Sequence, residues 1–396
     1  MISFDLQQHF NVNRLLLLGI GLWPYWQTKL ARIQIILISG ILTSFILLQF
    51  ATFITAKCTL DLVINILSIT LIFVIHLTKY STFLIKIQNV KYLLNQLERI
   101  CSKLRNKKEI AIIENNAVVM KRYIIIFSLL SISYLIMINL LPMWPRVLGI
   151  FLLINDTQPR RIMLIMNEYI LDQERYFYVI LLHTNATLCI GAFIVLAITA
   201  MIMGYLQHIC GMFRIASYRI EQAMDINVLQ NISPKDEMMI CKKIVYAVDI
   251  HRKALSFSKI TISTFEGMFF LLLVFGVSCM SLNLYRVFQI VTFEFNIEEL
   301  TLHITFIFTI LLYIFLINYA AQEVTNCNEH VFETAYNMRW YVTPIHIQKM
   351  ILFLLQNGTK AFTLNLGGVF VGSLKSAFSL ASTSVSYFTV LYSTAL

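Results

Sequence analysis

The chain has 396 residues, of which 58% are hydrophobic and 13% are charged, and its mean hydropathy is +0.73. A soluble protein cannot cover that much apolar surface, so the composition excludes a set of soluble domains. The net charge of +10 could suit a nucleic-acid partner, but the basic residues are dispersed between apolar runs, so we predict no nucleic-acid binding. The seven scattered cysteines and the absence of catalytic motifs predict no disulfide, metal, cofactor or enzymatic activity.

The apolar runs reach about 20 residues, which is long enough to cross a bilayer as helices. The N-terminal sequence MISFDLQQHF lacks the features of a signal peptide, so we expect it to be retained. Trp23–Trp26, with the sequence WPYW, is typical of an aromatic anchor at the membrane surface. Seven spans are predicted, at residues 33–54, 62–83, 123–142, 177–206, 260–284, 300–321 and 363–392.

The distribution of Lys and Arg predicts the orientation of these spans. The N-terminal segment and loops 84–122, 207–259 and 326–362 hold 23 basic residues, whereas the alternate loops hold six. Since positive loops stay in the cytoplasm, we expect a cytoplasmic N-terminus and an extracellular C-terminus. The run from Tyr176 to Glu221 would form a helix of about 68 Å, twice the bilayer thickness. We therefore predict an all-α fold whose spans continue into the cytoplasm and pack there as an inner anchor domain.

Three regions are predicted along the chain. Residues 1–325 form a six-helix transmembrane region, 326–360 form a cytoplasmic anchor helix and loop, and 361–396 contain the last span. The sole long external loop, 146–176, carries the glycosylation acceptor pattern Asn155–Thr157 on the predicted outer side of the membrane.

The last span has an unusual composition for a membrane helix. Residues 361–394 contain eleven Ser or Thr, three Gly and Lys375. Such a helix either packs closely on other helices through its small residues or lines water. The residues by themselves leave both interpretations open.

Several segments across the whole chain resemble insect odorant receptors. The segments that carry this resemblance are His208–Glu221, Ile250–Arg252, Ser281–Leu284, Gln322, Ala335–Tyr336, Trp340–Tyr341, Thr363, Ser373–Leu374 and Ser386–Thr389. Many members of that family carry an acidic residue where Lys375 stands and a lysine where Ser382 stands, so the charge of the last span is rearranged here. The co-receptor's long insertion is missing and Ser393 replaces its glutamine, which is typical of a ligand-specific tuning subunit.

The resemblance implies a non-selective cation channel of four subunits, formed with the shared odorant co-receptor in the plasma membrane of a sensory neuron. It implies that span 7 lines the pore, with the gate region formed by Ser386, Tyr387, Val390, Leu391, Ser393 and Thr394. Because a lysine inside the bilayer is costly, we expect Lys375, near the inner end of this span, to face the aqueous inner vestibule. It also implies a pocket for a small volatile hydrophobic ligand in the outer half, between spans 2, 3, 4 and 6. We select the expected ligand contacts by their depth in the membrane, counted along the predicted spans, and by their side-chain type. They are Ser68, Phe73, His76, Tyr134, Met137, Ile138, Tyr178, Leu182, Phe306, Ile310 and Tyr313.

Other classes of membrane protein fit the sequence less well. A gustatory-type channel would carry Thr-Tyr followed downstream by Gln-Phe, whereas this chain has Ser386-Tyr387 and then Ser393-Thr394. A G-protein-coupled receptor would have the opposite orientation and an Asn-Pro turn in its last span. A transporter would show repeated halves with broken helices.

Overall fold

The computed structural model of the protein describes residues 10–26, 28–55, 57–140, 173–224, 234–293, 296–358, 362–366 and 370–395. In the first half of the chain these residues form α1 (Asn11–Gly19), α2 (Lys29–Thr55), α3 (Leu60–Ile85), α4 (Ile87–Cys101) and α5 (Lys107–Leu140). The second half contains α6 (Gln173–Ala223), α7 (Pro234–Thr292), α8 (Ile297–Asn337), a 3₁₀ turn (Trp340–Val342), α9 (Ile345–Gly358), β1 (Asn365–Leu366), β2 (Phe370–Val371) and α10 (Leu374–Ala395).

The predicted all-α architecture is confirmed, with one small hairpin added to it. Predicted spans 1, 2, 4, 5 and 6 lie in α2, α3, α6, α7 and α8, and the described part of predicted span 3 lies in α5. Helix α8 is continuous across the predicted boundary at residue 325, and the division into three regions stays a prediction. The orientation of the termini also stays a prediction, and the glycosylation pattern at Asn155 lies outside the described residues.

Polar side chains set the starts of two helices on one end of the molecule. Thr59 Oγ1 accepts a hydrogen bond from the backbone N–H of Leu62 at 3.3 Å at the start of α3. Asn296 Oδ1 accepts from the backbone N–H groups of Glu298 at 3.0 Å and Glu299 at 3.3 Å at the start of α8. These two carboxylates in the first turn also complement the helix dipole, so α8 begins at a well-defined residue.

Three helices are far longer than a membrane is thick. Helices α6, α7 and α8 contain 51, 59 and 41 residues. At a rise of 1.5 Å per residue they measure about 77, 89 and 62 Å, compared with about 30 Å for the hydrocarbon core. The predicted continuation of spans 4 to 6 beyond the membrane as helices is therefore confirmed.

Six of the described helices are long and apolar enough to cross a membrane, namely α2, α3, α5, α6, α7 and α8. Helix α10 has 22 residues and measures about 33 Å, so it is long enough as well. Because α10 is rich in hydroxyl side chains, it is less apolar than these six helices. The last helix is thus matched to the membrane by its length and not by its apolarity.

The start of the last helix differs from the predicted span at 363–392. Strands β1 and β2 pair in antiparallel register over the first part of that range, and α10 begins only after them. Ser373 sets this start, because its Oγ accepts from the N–H of Ser376 at 3.2 Å and its own N–H donates to Asn318 Oδ1 at 3.2 Å. Lys375 therefore lies in the first turn of α10, and its place in the inner vestibule stays a prediction.

Helix α6 lies at the centre of the fold. Every residue from Leu196 to Phe213 is buried. Two of its glycines permit close contact with neighbours: a Cβ at position 204 would lie 2.7 Å from a ring carbon of Phe10, and one at 211 would lie 2.7 Å from Ile113 Cδ1. These glycines let α1 and α5 pack directly on the α6 backbone.

A buried ion pair connects the long helices at the end of the bundle where the basic loops lie. Arg219 Nε and Nη2 donate to the two carboxylate oxygens of Glu109 at 2.7 and 3.0 Å. Arg219 Nη1 also donates to the carbonyl oxygen of Tyr246 at 2.8 Å. Because the pair is bidentate and Glu109 is buried, it fixes α5, α6 and α7 relative to one another.

Replacement of Glu109 by alanine is expected to destabilise the protein by roughly 3 kcal/mol, because Arg219 would keep its mostly buried position without a carboxylate partner. The measurement is the fraction of monodisperse, detergent-solubilised protein that remains after heating. Asp249→Ala is the matched control: it removes an exposed ion pair with Lys253 and should cost about 0.5 kcal/mol or less. Equal losses for the two variants would contradict the assignment.

Candidate functional site: an apolar cavity and a polar helix face

An apolar cavity of about 370 Å³ lies between α3, α5, α6 and α8. Aromatic pairs form much of its wall. The ring centroids of Phe127 in α5 and Tyr313 in α8 are 6.3 Å apart, and those of Tyr134 in α5 and Phe306 in α8 are 6.1 Å apart. A cavity of this size and lining can bury a small organic molecule.

The predicted ligand contacts fall into three groups. Six of the eleven line the cavity: His76, Tyr134, Met137, Phe306, Ile310 and Tyr313. Three are buried in the fold but do not line the cavity: Ser68, Phe73 and Ile138. Tyr178 and Leu182 lie on the surface of α6, where they are 72% and 71% exposed. Contact of any of these residues with a ligand stays a prediction.

The cavity also includes residues that the prediction by depth omits. Among them are Phe127, Leu130, Ser131, Ala192, Val195, Thr305 and Thr309. The residues of α5 and α6 among them are missed because the cavity extends further along these two helices than the outer half of the predicted spans, whereas Thr305 and Thr309 lie within the outer half of predicted span 6 and are not selected. Helical spacing is the signal that finds them, since Phe127, Leu130, Tyr134 and Met137 follow one another at intervals of three or four residues on one face of α5.

His76 packs directly against Gly191, which has no side chain to block it. A Cβ at Gly191 would lie 2.3 Å from His76 Nδ1, so α3 and α6 approach each other closely here. The His76 side chain is only 7% exposed, and its ring stands edge-on to Phe73 with centroids 5.8 Å apart. The imidazole is therefore held firmly in the cavity wall.

Lys79 lies one turn further along α3 and is only 1% exposed. Its Nζ is 3.7 Å from the ring centroid of Tyr313, which is a cation–π contact. None of the ion pairs formed by the described residues includes Lys79. The Tyr313 ring thus contacts a buried amino group and also lines the cavity.

A chain of contacts connects the cavity to α10. Phe306 in the cavity wall packs edge-on against His303, with centroids 6.3 Å apart. His303 Nδ1 is hydrogen-bonded to Asn283 Oδ1 of α7 at 2.8 Å. Two residues earlier in α7, Ser281 Oγ donates to the carbonyl oxygen of Ser384 in α10 at 2.9 Å. Helix α7 therefore contacts both the cavity wall and α10.

Helix α10 has two chemically different faces. The face with buried Ala377, Leu380 and Ser384 packs on its own chain. The opposite face carries exposed polar side chains three or four residues apart, namely Lys375, Ser379, Ser382, Ser386, Thr389 and Ser393. A row of polar groups along a membrane-length helix is unsuited to lipid, so it requires water or another protein chain.

The residues predicted to form the gate lie mostly away from the packed face. The exposed ones are Ser386, Tyr387, Val390, Ser393 and Thr394, and Lys375 is exposed in the first turn. Leu391 is partly buried. Near the same end, Phe288 of α7 packs against Phe388 and Tyr392, with centroids 6.1 and 4.8 Å away. These aromatic contacts hold α10 on α7.

Together these features define a class of protein: a helical membrane protein with a cavity for a small apolar molecule and a last helix whose outward face is polar. The sequence profile described as 7tm Odorant receptor matches residues 59–385. The chain belongs to this odorant receptor family. Of the classes that the sequence left open, the family match supports the odorant receptor.

Solved structures of similar proteins share the fold. The structure of the insect olfactory receptor OR5 from Machilis hrabei in complex with eugenol has a TM-score of 0.78 and 16% sequence identity, and the alignment covers 98% of each chain. A second structure of that receptor has a TM-score of 0.75 and 15% identity, again with 98% of each chain covered. No curated protein matches the chain by sequence. The resemblance to insect odorant receptors is confirmed.

Proposed function

We propose that the chain is a ligand-specific subunit of a non-selective cation channel, which small hydrophobic odorants open and which acts with the shared odorant co-receptor in the plasma membrane. The polar exposed face of α10 is the observation that carries this proposal. The family match and the apolar cavity support it, and the related receptor OR5 was solved in complex with eugenol.

The polar face of α10 suits contact with water. Its hydroxyl groups donate within the helix: Ser386 Oγ to the carbonyl oxygen of Ser382 at 3.1 Å, and Ser393 Oγ to that of Val390 at 2.9 Å. The oxygen lone pairs stay free to accept hydrogen bonds from water. Around a central axis, four such faces would form a hydrated path, and a ring that includes Val390 would be a hydrophobic constriction able to close it by dewetting.

Ligand binding would reach this path through α7. A molecule in the cavity presses on Phe306, which contacts His303, and His303 is bonded to Asn283 of α7. Ser281 of α7 is in turn bonded to α10. If the ligand binds more tightly when these helices take the open arrangement, its binding shifts the equilibrium toward the open channel.

The proposal is tested by recording currents evoked by an odorant panel in cells that express the chain with and without the co-receptor. We expect ligand-evoked cation current in the co-expressing cells that does not depend on G proteins. Epitope tags at the two ends, stained in unpermeabilised cells, test the orientation. Current that requires G-protein signalling, or an extracellular N-terminus, would overturn the proposal.

Replacement of Lys375 by glutamate is expected to raise cation conductance. Lys375 is exposed on the polar face at the predicted inner entrance, where its positive charge repels cations. The measurement is single-channel conductance at low ionic strength, where screening is weak. Lys349→Glu, in α9, is the control for the change in charge alone. Unchanged conductance would remove Lys375 from the conduction path.

A further inference from the structure

We propose that the cavity selects odorants that carry a hydrogen-bond-accepting oxygen, such as ketones, and that the imidazole of His76 donates the hydrogen bond to that oxygen. The proposal rests on the proposed function, because it takes the cavity as the odorant site. It goes further by naming the chemical class of the ligand and the residue that recognises it.

Most hydroxyl groups in the cavity wall already donate to their own helices. Ser131 Oγ donates to the carbonyl oxygen of Phe127 at 2.8 Å. Thr305 and Thr309 donate to the carbonyl oxygens four residues earlier at 2.7 and 2.8 Å. With their single protons engaged in this way, these groups can accept a hydrogen bond from a ligand but cannot offer one.

His76 differs from these hydroxyl groups. Its Nδ1 is fully buried without a hydrogen-bond partner and is the ring atom closest to a Cβ at Gly191. An N–H facing the glycine methylene would be a buried donor without an acceptor, whereas a bare nitrogen there can accept a weak contact from the Cα–H. We therefore assign the proton to Nε2. This nitrogen lies on the side of the ring away from Gly191, and we infer that it faces the cavity, which His76 lines.

Tyr134 provides the matched control. Its ring lines the cavity, and its hydroxyl group also has no hydrogen-bond partner, but protein atoms cover that hydroxyl completely. A ligand in the cavity therefore reaches the Tyr134 ring and not its oxygen. Tyr134→Phe removes only the covered hydroxyl and should leave the preference among ligands unchanged.

The experiment compares linear methyl ketones with alkanes of the same chain length, at equal free concentrations, on the full chain expressed with its co-receptor. For the wild-type receptor we expect the ketone to act at roughly tenfold lower concentration than the alkane, the effect of one well-placed hydrogen bond. His76→Leu should bring this ratio close to one while the alkane response persists. His76→Gln should preserve the ratio, because the glutamine amide nitrogen is the same number of bonds from Cα as Nε2.

The outcomes separate this inference from the proposed function. If His76→Leu weakens ketone and alkane responses equally, or if Tyr134→Phe abolishes the preference, His76 is not the donor and the inference is overturned while the channel function stands. If the odorant panel evokes current but neither the ketones nor the alkanes do, the inference is overturned and the channel function stands, whereas the proposed function itself fails if no odorant of the panel evokes current. Retention of the ratio in His76→Gln with its loss in His76→Leu supports the inference.

Discussion

Replacement of Val390 by serine is expected to raise the ligand-independent cation current on the order of tenfold, because a hydroxyl at a hydrophobic constriction lets water remain in the closed pore. Val390 is 56% exposed and lies beside Ser386 and Ser393 on the side of α10 that does not pack on its own chain. The resemblance to odorant receptors implies a gate at this residue, which stays a prediction. A small polar substitution there should shift the closed state toward conduction without changing the ligand cavity.

The control for this variant lies on the same helix. Val385 is also exposed, but five residues correspond to a rotation of about 140°, so it points away from Val390. Val385→Ser makes the same chemical change at a different angle and should leave the basal current low. Whole-cell current before ligand addition, normalised to surface expression, measures both variants. Equal basal currents in the two variants would show that Val390 is not at the constriction.

The sequence predicts the helices well where the signal is local. Long apolar runs without proline specify α6 and the spans on either side of it, and their continuation past the membrane follows from the same pattern. The start of α10 could not be predicted, because it depends on the hydrogen bond between Ser373 and Asn318, which lie 55 residues apart. A prediction from apolarity alone starts this helix too early, so that it includes residues that form β1 and β2.

The residues that line the cavity could be predicted only in part, because the packing of distant helices again decides their positions. Depth along a span can be counted from the sequence, and it selects Tyr134 and Phe306 correctly as cavity-lining positions. The direction in which a residue points depends on how helices pack, so the same count also selects Tyr178 and Leu182 on the surface. Contacts between distant helices, such as that between Lys79 and Tyr313, have no local signal at all.

Replacement of Ala192 by tryptophan is expected to raise the half-maximal ligand concentration by about a hundredfold or more, equivalent to roughly 2.7 kcal/mol of binding energy. Ala192 is buried in α6 and lines the cavity, so an indole ring there enters open space and takes volume that the ligand needs. The void itself accommodates the ring, which limits the usual cost of inserting a large side chain into a packed core.

Two comparisons make this result specific to the cavity. Val179→Trp introduces the same side chain on the same helix at an exposed position outside the cavity and should leave the ligand response unchanged. In the Val390→Ser background, Ala192→Trp should retain the basal current, because the pore assembles and conducts even when the cavity is filled. Loss of both basal and evoked current would instead indicate a folding defect. Normal sensitivity of a well-expressed Ala192→Trp channel would mean that odorants bind elsewhere, and the cavity would lose its assigned role.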